Sequence, residues 1–192
     1  LFFSGGGNVT TASESIPIGF IREIREKIPL LSLFGASLSN IIFSGKLDVG
    51  LGIPIAKETE PLTGIKSDVS VWDLLEEIFY TRHDDLREES DEEVEAEDDT
   101  KIQMKYTVEC LSAGTLLKHF FVLKSCSEIE EHCFNHLLTL INDYPVLGGK
   151  KAIGHGRIKM HYEIGPSDKY LKFIEDKKDE IKAFMKVLND AI

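Results

Sequence analysis

Residues 147–160 read Leu147-Gly148-Gly149-Lys150-Lys151-Ala152-Ile153-Gly154-His155-Gly156-Arg157-Ile158-Lys159-Met160. The stretch holds four glycines and four Lys or Arg, with no acidic residue, in a chain of net charge −11. Glycine lets backbone amides approach a ligand closely. Successive exposed N–H groups form an anion-binding concavity, and the cations add attraction to phosphate. This is not a P-loop, because Gly149-Lys150 lacks a following Ser or Thr and does not open a helix. The chemistry on offer is phosphate binding, for a nucleotide or for a polyanion backbone.

Three other groups could do chemistry. Arg22 and Arg25 stand three apart, hence on one face of a helix. They form either a two-arginine phosphate clamp or a solvated face paired with Glu23 and Glu26, and the residues alone favour the second. His83 beside Asp84 and Asp85 invites a metal or acid–base role. Adjacent residues in a polar loop point in different directions, however, and no distant partner is identifiable. His132, Cys133 and His136 share a helix but lack a second half-site, so packing is favoured over metal binding. No metal and no cofactor is expected.

These groups need elements to hold them. Residues 16–33 have helical period, with Ile18, Ile21, Ile24 and Ile28 on one face and Pro29 ending or bending the helix. Residues 41–55 are strand-like, interrupted by Gly45, Gly50 and Gly52. Residues 57–64 read as a turn, and Trp72 to Tyr80 look helical. Ile102, Met104, Tyr106, Val108 and Cys110 alternate as one face of a strand. Residues 116–123 follow after a turn, which predicts a hairpin. Ser127 with Glu130 three residues on is a capping box for a helix presenting Ile129, Cys133, Leu137 and Leu140 or Ile141. Ile158, Met160, Tyr162 and Ile164 alternate after the glycine loop, predicting a strand with Arg157, Lys159 and His161 on its other face. Residues 167–191 predict a closing amphipathic helix with Leu171, Ile174, Ile181, Phe184, Met185 and Leu188 in its stripe.

Composition bounds the whole. At 192 residues and 42% apolar the chain can build a real core. Nine of the twelve residues 88–99 are acidic, and without those nine charges the net charge of −11 falls to −2. That run reads as a solvated loop, or as a segment that repels misplaced nucleic acid or binds a basic partner. Three widely spaced cysteines, Cys110, Cys126 and Cys133, argue for free thiols in a reducing cytoplasm. No apolar run is long enough to span a bilayer, so no membrane is expected among the partners. Residues 1–7 lack the pattern of a secretion signal. The sequence opens on Leu1 rather than Met, which suggests an upstream segment with a first strand. With that strand, the order predicts an α+β split β-α-β sandwich of ferredoxin-like or RNA-recognition-motif-like type. Residues 1–64 and 106–192 would form its palm, and 65–105 an insertion carrying the acidic loop. The aromatic RNA-binding strand consensus is absent.

Several pieces in this order carry a resemblance. They are the basic first helix with Leu33-Phe34-Gly35, Ser44-Gly45-Lys46-Leu47-Asp48-Val49, Lys57-Glu58-Thr59, Glu109-Cys110-Leu111-Ser112-Ala113-Gly114-Thr115 and the glycine loop. The set resembles the RAMP superfamily, in particular the repeating backbone subunit of multi-subunit CRISPR effector complexes. Residues 55–59 and 81–85 look closest to type IV, with type III and type I as further relatives. The resemblance implies a non-catalytic prokaryotic, cytoplasmic subunit of an antiviral ribonucleoprotein. Such a subunit polymerises along guide RNA as a helical filament with copies of itself and other subunits. A thumb within 65–105 would displace a base at intervals while the guide pairs with complementary target DNA or RNA, leaving the protein to supply shape and charge. Arg22 and Arg25 match the family's basic helix. Gly148, Gly149, Lys150, Lys151, Gly154 and Gly156 match its glycine loop, in which His155 and Arg157 also fall. Some type III relatives cut RNA with an aspartate in an early loop; the matching loop, 4–15, has Glu14 and no aspartate. The alternative is a metal-dependent RAMP ribonuclease using His83, Asp84 or Asp85.

Overall fold

The computed structural model describes residues 18–38, 41–82 and 104–190. The early glycine loop 4–15, the His83-Asp84-Asp85 cluster and the acidic run 88–99 lie outside them. The described residues show mixed α+β structure, divided into two compact units. One is drawn from Leu1–Val49 and Phe121–Ile192, the other from Gly50–Phe120.

In the first unit, α1 (Ile18–Lys27) and α2 (Pro29–Phe34) replace the single expected helix. Proline cannot donate its backbone nitrogen to the helix ladder, and the break falls at Ile28. A short ribbon follows, β1 (Gly35–Leu38) against β2 (Ile41–Ser44). At its base a Cβ on Gly45 would stand 2.2 Å from the Leu33 carbonyl oxygen, so only glycine fits. One core cluster joins Ile24, Leu31 and Phe43 to Phe184 and Leu188 from the C-terminal end of the chain. Full burial of each such aliphatic side chain contributes about 2 kcal/mol.

The second cluster holds Leu33, Cys133, Phe134 and Leu138, with Phe121, Tyr162 and Tyr170 packed against it. It sits on β3 (Leu47–Val49) paired antiparallel with β8 (Phe121–Leu123) and on α4 (Glu128–Asp143). The expected capping box closes α4: the Ser127 hydroxyl accepts from the Glu130 amide, and the Glu130 carboxylate accepts from the Ser127 amide. The buried face of α4 runs through Glu130, Cys133, Phe134 and Leu138, sharing Cys133 with the expected stripe but shifted from it by about one residue. Burial pushes the Cys133 thiol up to about 11, so it packs as a small apolar group rather than a nucleophile.

Residues 158–164 correct an expectation. They form no strand ladder; the adjacent Arg157 bridges to Val146, and the Ile158 amide donates to the Pro145 carbonyl. The alternation nevertheless holds as far as Tyr162, while Ile164, expected on the same face, is 39% exposed. Ile158, Met160 and Tyr162 are half-buried while Lys159, His161 and Glu163 are exposed. Side-chain packing, such as Tyr162 against Phe121 with ring centroids 5.3 Å apart, holds the segment without a partner strand. The closing helix is also two, α5 (Asp168–Asp176) and α6 (Lys178–Asp190), separated at Lys177. Phe184 and Leu188 are buried as expected, whereas Leu171 and Met185 are 43% and 37% exposed.

In the second unit, β4 (Ile53–Pro54) pairs with β7 (Leu117–Lys118). The Thr59 hydroxyl accepts from the Ala56 amide at 2.9 Å and donates to the Pro54 carbonyl. The Glu58 carboxylate accepts from the Val71 amide at 2.8 Å and the Ser70 hydroxyl at 2.7 Å, and those two bonds, the amide's first, hold it below the usual carboxylate range. Four-residue α3 (Glu60–Thr63) lies between them.

Two expectations fail here. Trp72 to Tyr80 is not a helix: a single 3-10 turn, Val71–Leu74, leads into β5 (Leu75–Arg82). Moreover, β6 (Met104–Leu111) pairs with β5 along its whole length, not with residues 116–123. Tyr80 and Tyr106 stand opposite each other and stack at 5.5 Å. Ile78 opposes Val108, so that face carries matched aromatic and β-branched pairs. Among the described residues every strand pairs with one other, giving four two-stranded ladders.

Candidate nucleic-acid interface

The glycine loop leaves the end of α4, whose last residue, Asp143, is followed by Tyr144 outside helical geometry. Two backbone bonds shut its mouth: the Leu147 amide donates to the Gly156 carbonyl at 2.8 Å, and the Ile158 amide to the Pro145 carbonyl at 2.9 Å. Gly156 has φ +78°, and a Cβ there would lie 1.7 Å from the Leu147 carbonyl oxygen. Gly148 (φ +81°), Lys150 (φ +59°) and Gly154 (φ +91°) also turn left-handed. Inside, a 3-10 turn over Lys151–Ile153 is secured by the Ile153 amide on the Lys150 carbonyl and the Gly154 amide on the Lys151 carbonyl. Among the described residues, the amides of Gly148 and Gly149 donate no hydrogen bond.

The loop is therefore a closed, shaped projection. Lys150, Lys151 and Arg157 are exposed on it and His155 is half-buried. Lys151 and Arg157 form no ion pair among the described residues. Tyr144, Val146, Lys151, His155, Arg157 and Ile158 line a hollow of about 320 Å³. Its basic members and aromatic wall are suited to an anion carrying a flat ring. Tyr144, 74% exposed, is the lining residue that sequence reasoning missed. Its signal was available: an aromatic residue just past a helix end, four residues before the first glycine.

The first helix differs. Arg25 donates to the Ser44 carbonyl at 2.8 Å, and its guanidinium lies 5.4 Å from the Phe43 ring centroid. Arg22 pairs with Glu26 at 3.0 Å on an exposed face, while Glu23 pairs with Lys27 at 2.9 Å. Neither arginine lines the hollow. The structure thus gathers Lys151, Gly154, His155 and Arg157 around one hollow and gives Arg22 and Arg25 carboxylate and carbonyl partners near their own helix.

The remaining candidates are packed. His132 Nδ1 lies 3.5 Å from Asp168 Oδ1, and His136 sits 5.8 Å from the Tyr170 ring. Among the described residues no group of His, Cys, Asp or Glu is arranged to hold a metal ion, and no helix is long and apolar enough to cross a membrane.

No family model matches the sequence, and no curated protein does. A solved structure does: a chain of a "Type IV-B CRISPR Complex", with a TM-score of 0.55 at 20% identity. The match covers 85% of this chain and 66% of that one, so the chain spans just under two thirds of its structural relative. Together with the ordered motifs from the first helix to the glycine loop, the likeness shows that this chain has the fold of a chain in a type IV-B CRISPR complex.

Proposed function

We propose that the chain is a non-catalytic backbone subunit of a CRISPR ribonucleoprotein effector, built on a RAMP-type, ferredoxin-like palm. Copies of it assemble along a guide RNA, grip its phosphates and present its bases to a complementary target. The palm is residues 1–64 with 106–192. Residues 65–105, which carry β5, supply the thumb. The observation that carries this reading is the closed glycine loop. It projects exposed cations from a chain of net charge −11, two of them without a carboxylate partner among the described residues. The fold likeness to a CRISPR complex chain supports it, as does the loop's lack of P-loop chemistry.

The test is RNA retention by the assembled complex. Lys150→Glu combined with Lys151→Glu reverses two charges on a surface that packs against nothing in the core. The variant is expected to lose most of its co-purifying RNA, while its circular dichroism and thermal midpoint stay those of the parent. Unchanged RNA occupancy would reduce the loop to a structural turn and end the proposal.

A further inference from the structure

The loop's cations account for phosphate but not for the shape of the hollow beside them. Tyr144 closes one side of that hollow, opposite chemistry to the Lys151 and Arg157 that also line it. The residue is held by its backbone: its amide donates to the Leu140 carbonyl at 3.3 Å, and its carbonyl accepts from the Val146 amide at 2.9 Å. The side chain, 74% exposed, contributes no packing to either core cluster. A large aromatic ring left in solvent beside cations is a stacking surface awaiting a flat partner. The volume of about 320 Å³ is at the small end of ligand sites, with room for one nucleotide and not for a duplex.

We infer that the hollow is a single-nucleotide subsite: Tyr144 stacks on an unpaired base while Lys151 and Arg157 take the phosphate attached to it. This rests on the phosphate-gripping reading of the loop and adds a base to it. The ligand class is single-stranded nucleic acid with at least one base turned out of any pairing. Recognition is tolerant of sequence, since every base has a π-face.

The experiment measures binding of the full-length chain to two labelled probes, a short oligouridylate and an abasic oligomer of the same length. Tyr144→Ala is expected to weaken oligouridylate binding about tenfold, the effect of one lost stack. It should leave abasic binding unchanged, and Tyr144→Phe should behave as wild type on both. Lys151→Ala with Arg157→Ala should weaken both probes. If Tyr144→Ala has no effect on oligouridylate while the cation variant weakens both, stacking is wrong and the phosphate reading stands. If the cation variant also has no effect, or the wild type binds neither probe, both readings fall. Because the Tyr144 side chain lies outside the core and its backbone bonds survive in alanine, unchanged circular dichroism is expected for every variant.

Discussion

At the scale of single residues, the glycines of the loop do different jobs. Gly154 and Gly156 both have positive φ, and a left-handed L-residue costs roughly 1–2 kcal/mol. They part in what surrounds them. A Cβ at Gly154 meets nothing within 4 Å, whereas at Gly156 it would strike the Leu147 carbonyl oxygen at 1.7 Å. That oxygen is backbone and cannot swing aside, and the same two residues carry the bond that shuts the loop. Gly154→Ala is therefore expected to cost about 1 kcal/mol and keep RNA binding. Gly156→Ala should cost more than about 2 kcal/mol or open the loop, with RNA binding lost in either case. Urea denaturation of both variants beside an RNA-binding assay checks this; equal behaviour of the two would mean that the Leu147–Gly156 closure is not what shapes the site.

At the scale of elements, the N-terminus of α4 is fixed to the bend at Lys46 that leads into β3. The Lys46 ammonium sits 2.8 and 2.7 Å from the two Glu130 carboxylate oxygens, and the Glu130 side chain is only 5% exposed. Burial pushes the Glu130 carboxyl up, but the Lys46 ion pair and the Ser127 amide outweigh it and hold it below the usual carboxylate range. A carboxyl depressed in the folded state adds stability above its unfolded pKa and loses it as pH falls through the folded one. Glu130→Gln should cost about 2–3 kcal/mol at neutral pH, since it leaves a partly buried ammonium without its counter-charge, while a glutamine can still close the capping box. The gap to wild type should narrow as pH drops well below the ordinary carboxylate range, where the wild-type carboxyl itself takes a proton. Denaturant midpoints at the two pH values decide; a gap that stays constant would remove the charge from the explanation.

The same element shows what was legible in the sequence. Ser127 and Glu130 announce their cap locally, and Pro29 announces its break locally, so both were readable. The alternation at Tyr106, Val108 and Cys110 gives the face of β6, but alternation says nothing about which strand lies alongside. Residues 116–123 were the nearest candidate in sequence, yet β5 is the partner. β5 itself was disguised: Leu74, Leu75 and Ile78 imitate helical spacing, while pairing with β6 decides the outcome. The glycine loop was legible in composition. Tyr144 was visible as an aromatic residue just past a helix end, but its place beside Lys151 and Arg157 was not, because the loop closure that puts it there is a property of backbone geometry.

At the scale of the whole molecule, the loop must attract RNA against its own chain. A net charge of −11 repels a polyanion at long range, but that field is screened within about 8 Å at physiological ionic strength. Attraction therefore depends on cations that touch phosphate. For single strands the logarithm of affinity falls with the logarithm of salt by about 0.7 per phosphate neutralised. Lys151→Ala should flatten that slope by about 0.7, and Lys151→Ala with Arg157→Ala by about 1.4. Arg22→Ala should leave it unchanged, because Arg22 is already paired with Glu26. Fluorescence anisotropy of labelled oligouridylate across a potassium chloride series reads these slopes directly. If Arg22→Ala flattened the slope and Lys151→Ala did not, the RNA would run over α1 and not over the glycine loop.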